Sequence, residues 1–85
     1  MPGPAQITYS RTAQRALVRS NKRALLLDKI AQLAVDPDSL ANNVTQLRGT
    51  PQFRLRVQDW RIIFTRSGHE LVIHDIAPRG SAYED

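Results

Sequence analysis

Three arginines are predicted to lie side by side on two neighbouring strands. Residues 53–64 alternate apolar and basic side chains, pause at the polar pair 58–59 and resume as a mostly apolar run. This pattern predicts two antiparallel strands joined by a two-residue turn. In that register Arg56 lies directly opposite Arg61, and Arg54 lies on the same face of the sheet. Because like charges that face each other destabilise a sheet, their presence here indicates an anionic ligand.

The strand that follows is expected to widen this basic face. The pair 67–68 suits a second two-residue turn, which would set Arg66 opposite His69. The same register places His74 opposite Arg61 on the basic face, while apolar residues collect on the other face. The predicted apolar pairs are Val57 with Trp60, Leu55 with Ile62, Phe53 with Phe64, Leu71 with Phe64 and Ile73 with Ile62, and Val72 is expected to meet Ile63 on the basic face.

Length and composition indicate one small domain, residues 1–85, and exclude several kinds of site. The chain has no cysteine, so it has neither disulfides nor thiolate zinc ligands. Its two histidines lack a nearby carboxylate pattern, so no metal and no cofactor are expected. No segment approaches the ~20 apolar residues that span a bilayer, and the N-terminus lacks the apolar core of a signal peptide. A cytoplasmic protein with no membrane partner is therefore expected.

The charge of the chain favours partners that carry negative charge. Twelve Lys and Arg residues against eight Asp and Glu residues give a formal net charge of +4, and ten of the twelve are arginines. The planar guanidinium of arginine binds phosphate through two parallel hydrogen bonds. Since these charges cluster, nucleic acid or an acidic protein is preferred as a partner over a role in solubility alone.

A short strand and two helices are expected before this sheet. Residues 7–9 suit a strand, and Ser10 or Thr12 can cap the helix that follows. Asn21 is expected to cap a second helix over 22–35. The predicted fold class is α+β, with the N-terminal strand and helical hairpin packed on one face of a small, mostly antiparallel sheet. The opposite, basic face is expected to be open to a partner.

Two other features leave their roles open. Residues 38–51 are expected to form a long connection, which Val44 and Leu47 anchor to the core. In the first helix, arginines every four residues line one outer side. These are Arg11, Arg15 and Arg19. Both a solvated helix surface and a phosphate-tracking stripe are compatible with that spacing.

Four segments together resemble the RelE/ParE superfamily of toxins from bacterial and archaeal toxin–antitoxin pairs. They are residues 13–17 in the first helix, the Leu-Arg-Gly turn at 47–49, the basic hairpin at 53–64 and the final segment 76–83. The resemblance covers nearly the whole chain from Ile7 onward and implies the same α+β fold. The RelE branch of this family cleaves messenger RNA in the ribosomal A site, and the ParE branch inhibits DNA gyrase.

The resemblance to the RelE branch implies a set of site residues and partners. The residues implied to be catalytic are Arg61, Arg79 and Tyr83. The residues expected to contact RNA or the ribosome are Arg54, Arg56 and Arg48, together with His74, which is included because of its predicted place on the basic face and not because of the resemblance. The implied partners are a cognate antitoxin and the ribosome with its mRNA. This sequence departs from the family in having no lysine on the first strand of the hairpin.

The implied reaction is metal-free cleavage of RNA, in which the 2′-hydroxyl attacks its own phosphate to give a 2′,3′-cyclic phosphate and a 5′-hydroxyl. Arg61 and Arg79 suit the charged transition state, because a guanidinium stays protonated at any working pH. Tyr83 can remove the 2′-proton only where the arginines lower its pKa from ~10, and the imidazole of His74 is the rival base. The preferred alternative for His74 is a hydrogen-bonded side chain on the surface of the sheet.

Two other functions are compatible with the same residues. A ParE-like inhibitor of DNA gyrase would use the arginines to dock on an acidic protein and would not need Tyr83. A basic RNA-binding module, or a toxin that has lost catalysis, would need only the positive charge.

Overall fold

Residues 3–78 are described by the computed structural model, and they form a five-stranded sheet with three helical segments. The strands are β1 (Gln6–Tyr9), β2 (Val44–Gln46), β3 (Phe53–Val57), β4 (Trp60–Ser67) and β5 (Glu70–Pro78). The helices are α1 (Arg11–Arg19), α2 (Arg23–Val35) and a 3₁₀ helix (Pro37–Asn43). The strand order is β1-β5-β4-β3-β2, with β1 parallel to β5 and the other pairs antiparallel. The predicted α+β class, with its N-terminal strand and helical hairpin, is confirmed.

A serine side chain caps α1, and a second serine forms a hydrogen bond in the turn before α2. Ser10 precedes α1, and its Oγ accepts a hydrogen bond of 3.0 Å from the backbone N–H of Ala13, as an N-cap serine does. For α2 the prediction of Asn21 as the cap is wrong, because Lys22 occupies that position without a side-chain capping bond. The cause is a tight turn between the helices, in which Ser20 Oγ accepts a 2.9 Å hydrogen bond from the N–H of Lys22.

The segment expected to be a long connection, residues 38–51, contains regular structure. It includes most of the 3₁₀ helix, which buries Leu40, and the edge strand β2, in which Val44 pairs with Leu55. A strand of three residues is too short for an alternating pattern to reveal it. Val44 packs against the core, as predicted, and Leu47 is half-buried after the strand ends.

The hairpin of β3 and β4 has the predicted register. Its pairs are Phe53 with Phe64, Arg54 with Ile63, Leu55 with Ile62, Arg56 with Arg61 and Val57 with Trp60. On the helix side of the sheet, the rings of Phe53 and Phe64 stack with their centroids 5.5 Å apart. At the turn, Gln58 adopts a φ of 54°, the left-handed conformation that a two-residue hairpin turn requires.

The register predicted between β4 and β5 is wrong by two residues. Ser67 pairs with Glu70, because Gly68, at a φ of 58°, takes the first position of the turn rather than the second. A shift of two residues keeps Leu71 and Ile73 on the helix side, where both are fully buried. The predicted pairs that do not form are Arg66 with His69, Leu71 with Phe64, Val72 with Ile63, Ile73 with Ile62 and His74 with Arg61.

A β-bulge in β5 moves His74 away from Arg61. The register shifts by one residue next to Ile63, which leaves His74 as an extra residue on β5. Beyond the bulge, Arg61 pairs with Ala77, three residues further along the strand than His74. The prediction for His74 failed because the turn at Gly68 shifts the register by two residues and the bulge shifts it by one more. A periodic pattern of side chains anticipates neither change.

Both helices pack on one face of the sheet and enclose the core there. The central side chains of this core are fully buried. They are Leu26, Ile30 and Leu33 of α2 and Leu55, Ile62, Leu71 and Ile73 of the sheet. On the other face, which we call the outer face, Ile63 is also only 2% exposed, between Arg54 and Asp75 on the neighbouring strands. Side chains of the outer face therefore shield Ile63, while Arg56 on the same face is exposed.

Candidate nucleic-acid interface

Strands β3 and β4 place three arginines next to one another on the outer face. We call Arg54, Arg56 and Arg61 the arginine triad. Arg56 lies directly opposite Arg61, and Arg54 lies two residues along β3, opposite Ile63. Residues in directly opposed positions have Cβ atoms ~4.5–5.5 Å apart. Three long guanidinium side chains can therefore converge on one ligand.

The triad concentrates positive charge in a partly desolvated position. Arg54 and Arg61 are half-buried and Arg56 is exposed. Burial, followed by the charges of Arg61 and Arg56, lowers the pKa of Arg54, since each of these causes disfavours the charged form of a base. Arginine nevertheless stays protonated at neutral pH. The triad therefore concentrates positive charge where burial and like charges both disfavour the charged form of Arg54.

His74 lies on the outer face but outside the triad. Its Nε2 is 2.9 Å from Thr65 Oγ1, and its carbonyl oxygen accepts a 2.6 Å hydrogen bond from Ser10 Oγ. These contacts fix both the ring and the backbone of the bulge. Three residues of strand, or ~10 Å, separate it from Ala77, the partner of Arg61. The structure therefore does not bring His74 to the position that the triad defines.

Arg48 lies in an exposed turn between β2 and β3. Hydrogen bonds from the N–H and Oγ1 of Thr50 to the carbonyl oxygen of Leu47 fix this turn, and Gly49 adopts a φ of 78° within it. The turn leads into the start of β3, whereas Arg56 lies near the end of that strand. Only a ligand that extends along β3 could contact both Arg48 and the triad.

Two of the residues predicted to be catalytic, Arg79 and Tyr83, lie outside the described residues. Strand β5 ends at Pro78, one residue after the partner of Arg61 in the sheet. Of the three predicted catalytic residues, the structure thus describes Arg61 alone. The triad can bind phosphate and stabilise added negative charge, but a protonated guanidinium cannot serve as a base.

A cleft beside the triad contains polar residues that the sequence patterns did not single out. It measures about 170 Å³ and is lined by Asn42, Asn43, Thr45, Arg54 and Arg56. The asparagines end the 3₁₀ helix, and Thr45 is the middle residue of β2. These three residues lie on the outer face because β2 pairs with β3. The sequence could have placed them beside the triad only if β2 had been recognised as a strand.

Within residues 3–78, no group of His, Cys, Asp and Glu side chains is arranged to hold a metal ion. In the same residues, no helix is long and apolar enough to cross a membrane.

Comparison with solved structures identifies the fold. A chain of the archaeal RelE–RelB complex from Pyrococcus horikoshii is 22% identical, with a TM-score of 0.74 over 93% of this chain and 99% of that chain. A chain of the intact E. coli RelBE toxin–antitoxin complex is 15% identical, with a TM-score of 0.72 over 94% and 99%. YafQ from E. coli is 13% identical, with a TM-score of 0.68 over 94% and 99%. No protein-family model and no curated protein sequence matches the chain. The predicted resemblance is therefore confirmed at the level of the fold.

Proposed function

We propose that this chain, which has the fold of the RelE toxins, is the toxin of a toxin–antitoxin pair and cleaves messenger RNA on the ribosome. The solved structures with this fold include toxin–antitoxin complexes. The observation that carries the proposal is the arginine triad, in which three guanidinium groups are crowded on one face. Such crowding destabilises a sheet and is expected where an anion is bound.

In the proposed reaction the ribose 2′-oxygen forms a bond to the adjacent phosphorus, and the bond from phosphorus to the 5′-oxygen breaks. The 2′-proton passes to a base and the departing 5′-oxygen receives a proton, so that a 2′,3′-cyclic phosphate and a 5′-hydroxyl result. Arg61 contacts the non-bridging oxygens, where its charge stabilises the phosphorane as negative charge develops. Arg54 and Arg56 hold the flanking phosphates. Arg79 is the proposed second cation and Tyr83 the proposed base.

The ribosome is proposed to supply part of the positioning. The triad cannot act as a base, and His74 is held at the bulge by Thr65 and Ser10. Orientation of the 2′-hydroxyl for attack must therefore come from the way the mRNA is presented. We expect naked RNA to be cut poorly for this reason. Arg48 and the triad would contact RNA of the A site, which places the protein in the cytoplasm.

Cell-free translation tests the proposed function. A defined mRNA is incubated with the protein in a translating extract and, in parallel, without ribosomes, and the 5′ ends of the fragments are mapped. We expect fragments with a 5′-hydroxyl at codon positions in the translating reaction only. Loss of gyrase supercoiling without mRNA fragments would indicate the ParE-like function instead. The absence of both effects would leave a basic RNA-binding module.

An antitoxin is the second proposed partner. An acidic segment that covers the triad, or that docks on the helical hairpin, would relieve the repulsion between the arginines. Folding of such a segment onto this small domain would also raise its apparent stability. We expect the product of the neighbouring gene to co-purify with the chain and to raise its melting temperature. No shift together with no co-purification would contradict the toxin–antitoxin assignment.

A further inference from the structure

The cleft beside the triad is built from two paired strands and the end of the 3₁₀ helix. Thr45 on β2 lies opposite Arg54 on β3. Extending this register by one row of the outer face sets Asn43 opposite Arg56. Asn42 completes the lining. The cleft is therefore continuous with the triad, because Arg54 and Arg56 belong to both.

The volume of the cleft suits one part of a larger ligand rather than a whole small molecule. It measures about 170 Å³, whereas sites that enclose a whole small molecule measure ~300–1,000 Å³. A polymer held by the triad could place one of its units in this space. The group that occupies the cleft would then be adjacent, along the polymer, to the group that the triad binds.

The lining offers two different kinds of recognition. The guanidinium groups of Arg54 and Arg56 bind phosphate. A side-chain amide presents a donor and an acceptor side by side, which is the arrangement that reads the edge of a nucleobase. Asn42 and Asn43 are both exposed, and within residues 3–78 neither amide is engaged in a hydrogen bond. The two guanidinium groups in the described lining repel a cation or a basic peptide.

An acidic peptide fits this lining less well than a nucleotide does. Its carboxylates would pair with Arg54 and Arg56 but would give the neighbouring amides no specific role. A nucleotide carries both a phosphate and a base edge, and it uses both parts of the lining. The base must be unpaired, because the base edges that best distinguish one base pair from another lie, in an RNA duplex, in a deep, narrow major groove that side chains cannot read.

We propose that the cleft holds one nucleotide of single-stranded RNA, with its phosphate on Arg54 and Arg56 and its base edge on Asn42 and Asn43. This inference rests on the proposed function, since it takes the cleaved phosphate to lie at Arg61. It adds a base preference to that function. The position of the cut then depends on the identity of the nucleotide next to it.

Binding of short RNA tests the cleft without cleavage. Labelled 2′-O-methyl oligonucleotides, which cannot undergo attack by a 2′-hydroxyl, carry each of the four bases at one position in a uniform sequence. They are titrated with the wild type, with the double variant Asn42→Ala/Asn43→Ala and with Asn21→Ala. The last is a matched control, because Asn21 is an exposed asparagine in the turn between the helices. We expect the wild type and Asn21→Ala to prefer one base by about 5-fold or more, and the double variant to lose that preference.

Several outcomes would overturn the inference. Equal binding of all four bases by the wild type would do so, as would a preference that survives in the double variant. Tighter binding of a glutamate-rich peptide than of any oligonucleotide, lost in the double variant, would assign the cleft to an acidic protein instead.

Mapping of the sites cut during translation separates this inference from the proposed function. If the wild type cuts no mRNA, yet its base preference in binding depends on the asparagines, cleavage is refuted and the nucleotide site stands. If the wild type cuts mRNA and the double variant cuts the same sites with the same frequencies, cleavage stands and the nucleotide site is refuted. We expect the double variant to cut mRNA at a less restricted set of sites.

Discussion

The arginines of the sheet and those of α1 carry the same charge in different surroundings. The helix stripe consists of Arg11, Arg15 and Arg19, all exposed. Its members recur every four residues, ~6 Å apart along the helix axis. Because their side chains are exposed, water surrounds each one. In the triad, two arginines face each other across paired strands, and burial and like charges lower the pKa of Arg54. Burial and crowding of charges, rather than their number, therefore indicate where an anionic ligand is expected.

Arg66 shows a third use of arginine, in which the guanidinium joins two elements of the fold. Its Nη1 donates a 2.9 Å hydrogen bond to the carbonyl oxygen of Leu33. Leu33 lies in the last turn of α2, where carbonyl groups lack helical partners and a cation is favourable to the helix dipole. Arg66 therefore ties the end of α2 to β4. Replacement of an arginine is therefore expected to have different effects in the triad, in the helix stripe and at the contact between Arg66 and α2.

The largest expected effect is on activity, in the variant Arg61→Ala. Loss of one group that stabilises charge in the transition state typically lowers a rate about 100- to 1,000-fold. Arg15→Ala, in the helix stripe, is the matched control and should keep nearly full activity. The measurement is the rate of mRNA cleavage in cell-free translation, with thermal unfolding to confirm that both variants fold. Full activity of Arg61→Ala would remove this residue from the phosphate site, and equal losses in both variants would erase the contrast between the two regions.

The next effect is on stability, in the variant Arg66→Met. Methionine keeps an apolar stem of similar length but leaves the carbonyl oxygen of Leu33 without its charged donor. We expect the free energy of unfolding to fall by ~1–2 kcal/mol, while the activity of the folded fraction is unchanged. Arg15→Met, at an exposed position in the middle of the helix stripe, should leave the urea midpoint where it is. Identical midpoints for the two variants would show that the contact between Arg66 and α2 contributes nothing.

A smaller effect of opposite sign is expected for Arg56→Gln. Removing one of two directly opposed charges should raise the free energy of unfolding by at most ~1 kcal/mol and should weaken RNA binding. The same change at Arg15 should alter neither quantity. Because salt screens the repulsion, the gain for Arg56→Gln should shrink as ionic strength rises. Urea unfolding at low and high salt measures this, and a variant no more stable than the wild type at low salt would refute the idea that crowding is costly.

The sequence alone predicted those features of the fold and of the triad that depend on a long regular pattern of side chains. Residues 53–64 alternate over two strands, and a one-residue slip would have put every apolar side chain on the wrong face. The register of that hairpin, and with it the shared face of the triad, therefore followed from the residues. The α+β class followed in the same way, from two helical segments set before an alternating region.

The parts that the sequence did not predict depend on single residues or very short elements. Gly68 moved the turn between β4 and β5 by one position, and the bulge at His74 changed the partner of Arg61. Strand β2 has three residues, too few for a periodic signal, so the amides at 42–43 could not be placed beside the triad. Each of these is a local choice of backbone conformation, which the hydrophobic pattern does not encode.

Tyr9 separates the two causes that act together on Arg54. Burial alone raises the pKa of Tyr9 above its ordinary value of 10.0, whereas burial and like charges both act on Arg54. Because the folded-state pKa of Tyr9 lies above the unfolded one, the stability that this difference contributes is complete below pH ~10 and is lost as the pH rises through the folded-state pKa. We therefore expect the free energy of unfolding, measured in urea over a series of pH values, to fall more steeply above pH ~10 in the wild type than in Tyr9→Phe. Equal slopes would mean that half-burial by itself hardly disfavours charge, and the cost of the triad would then come from the crowding of its arginines.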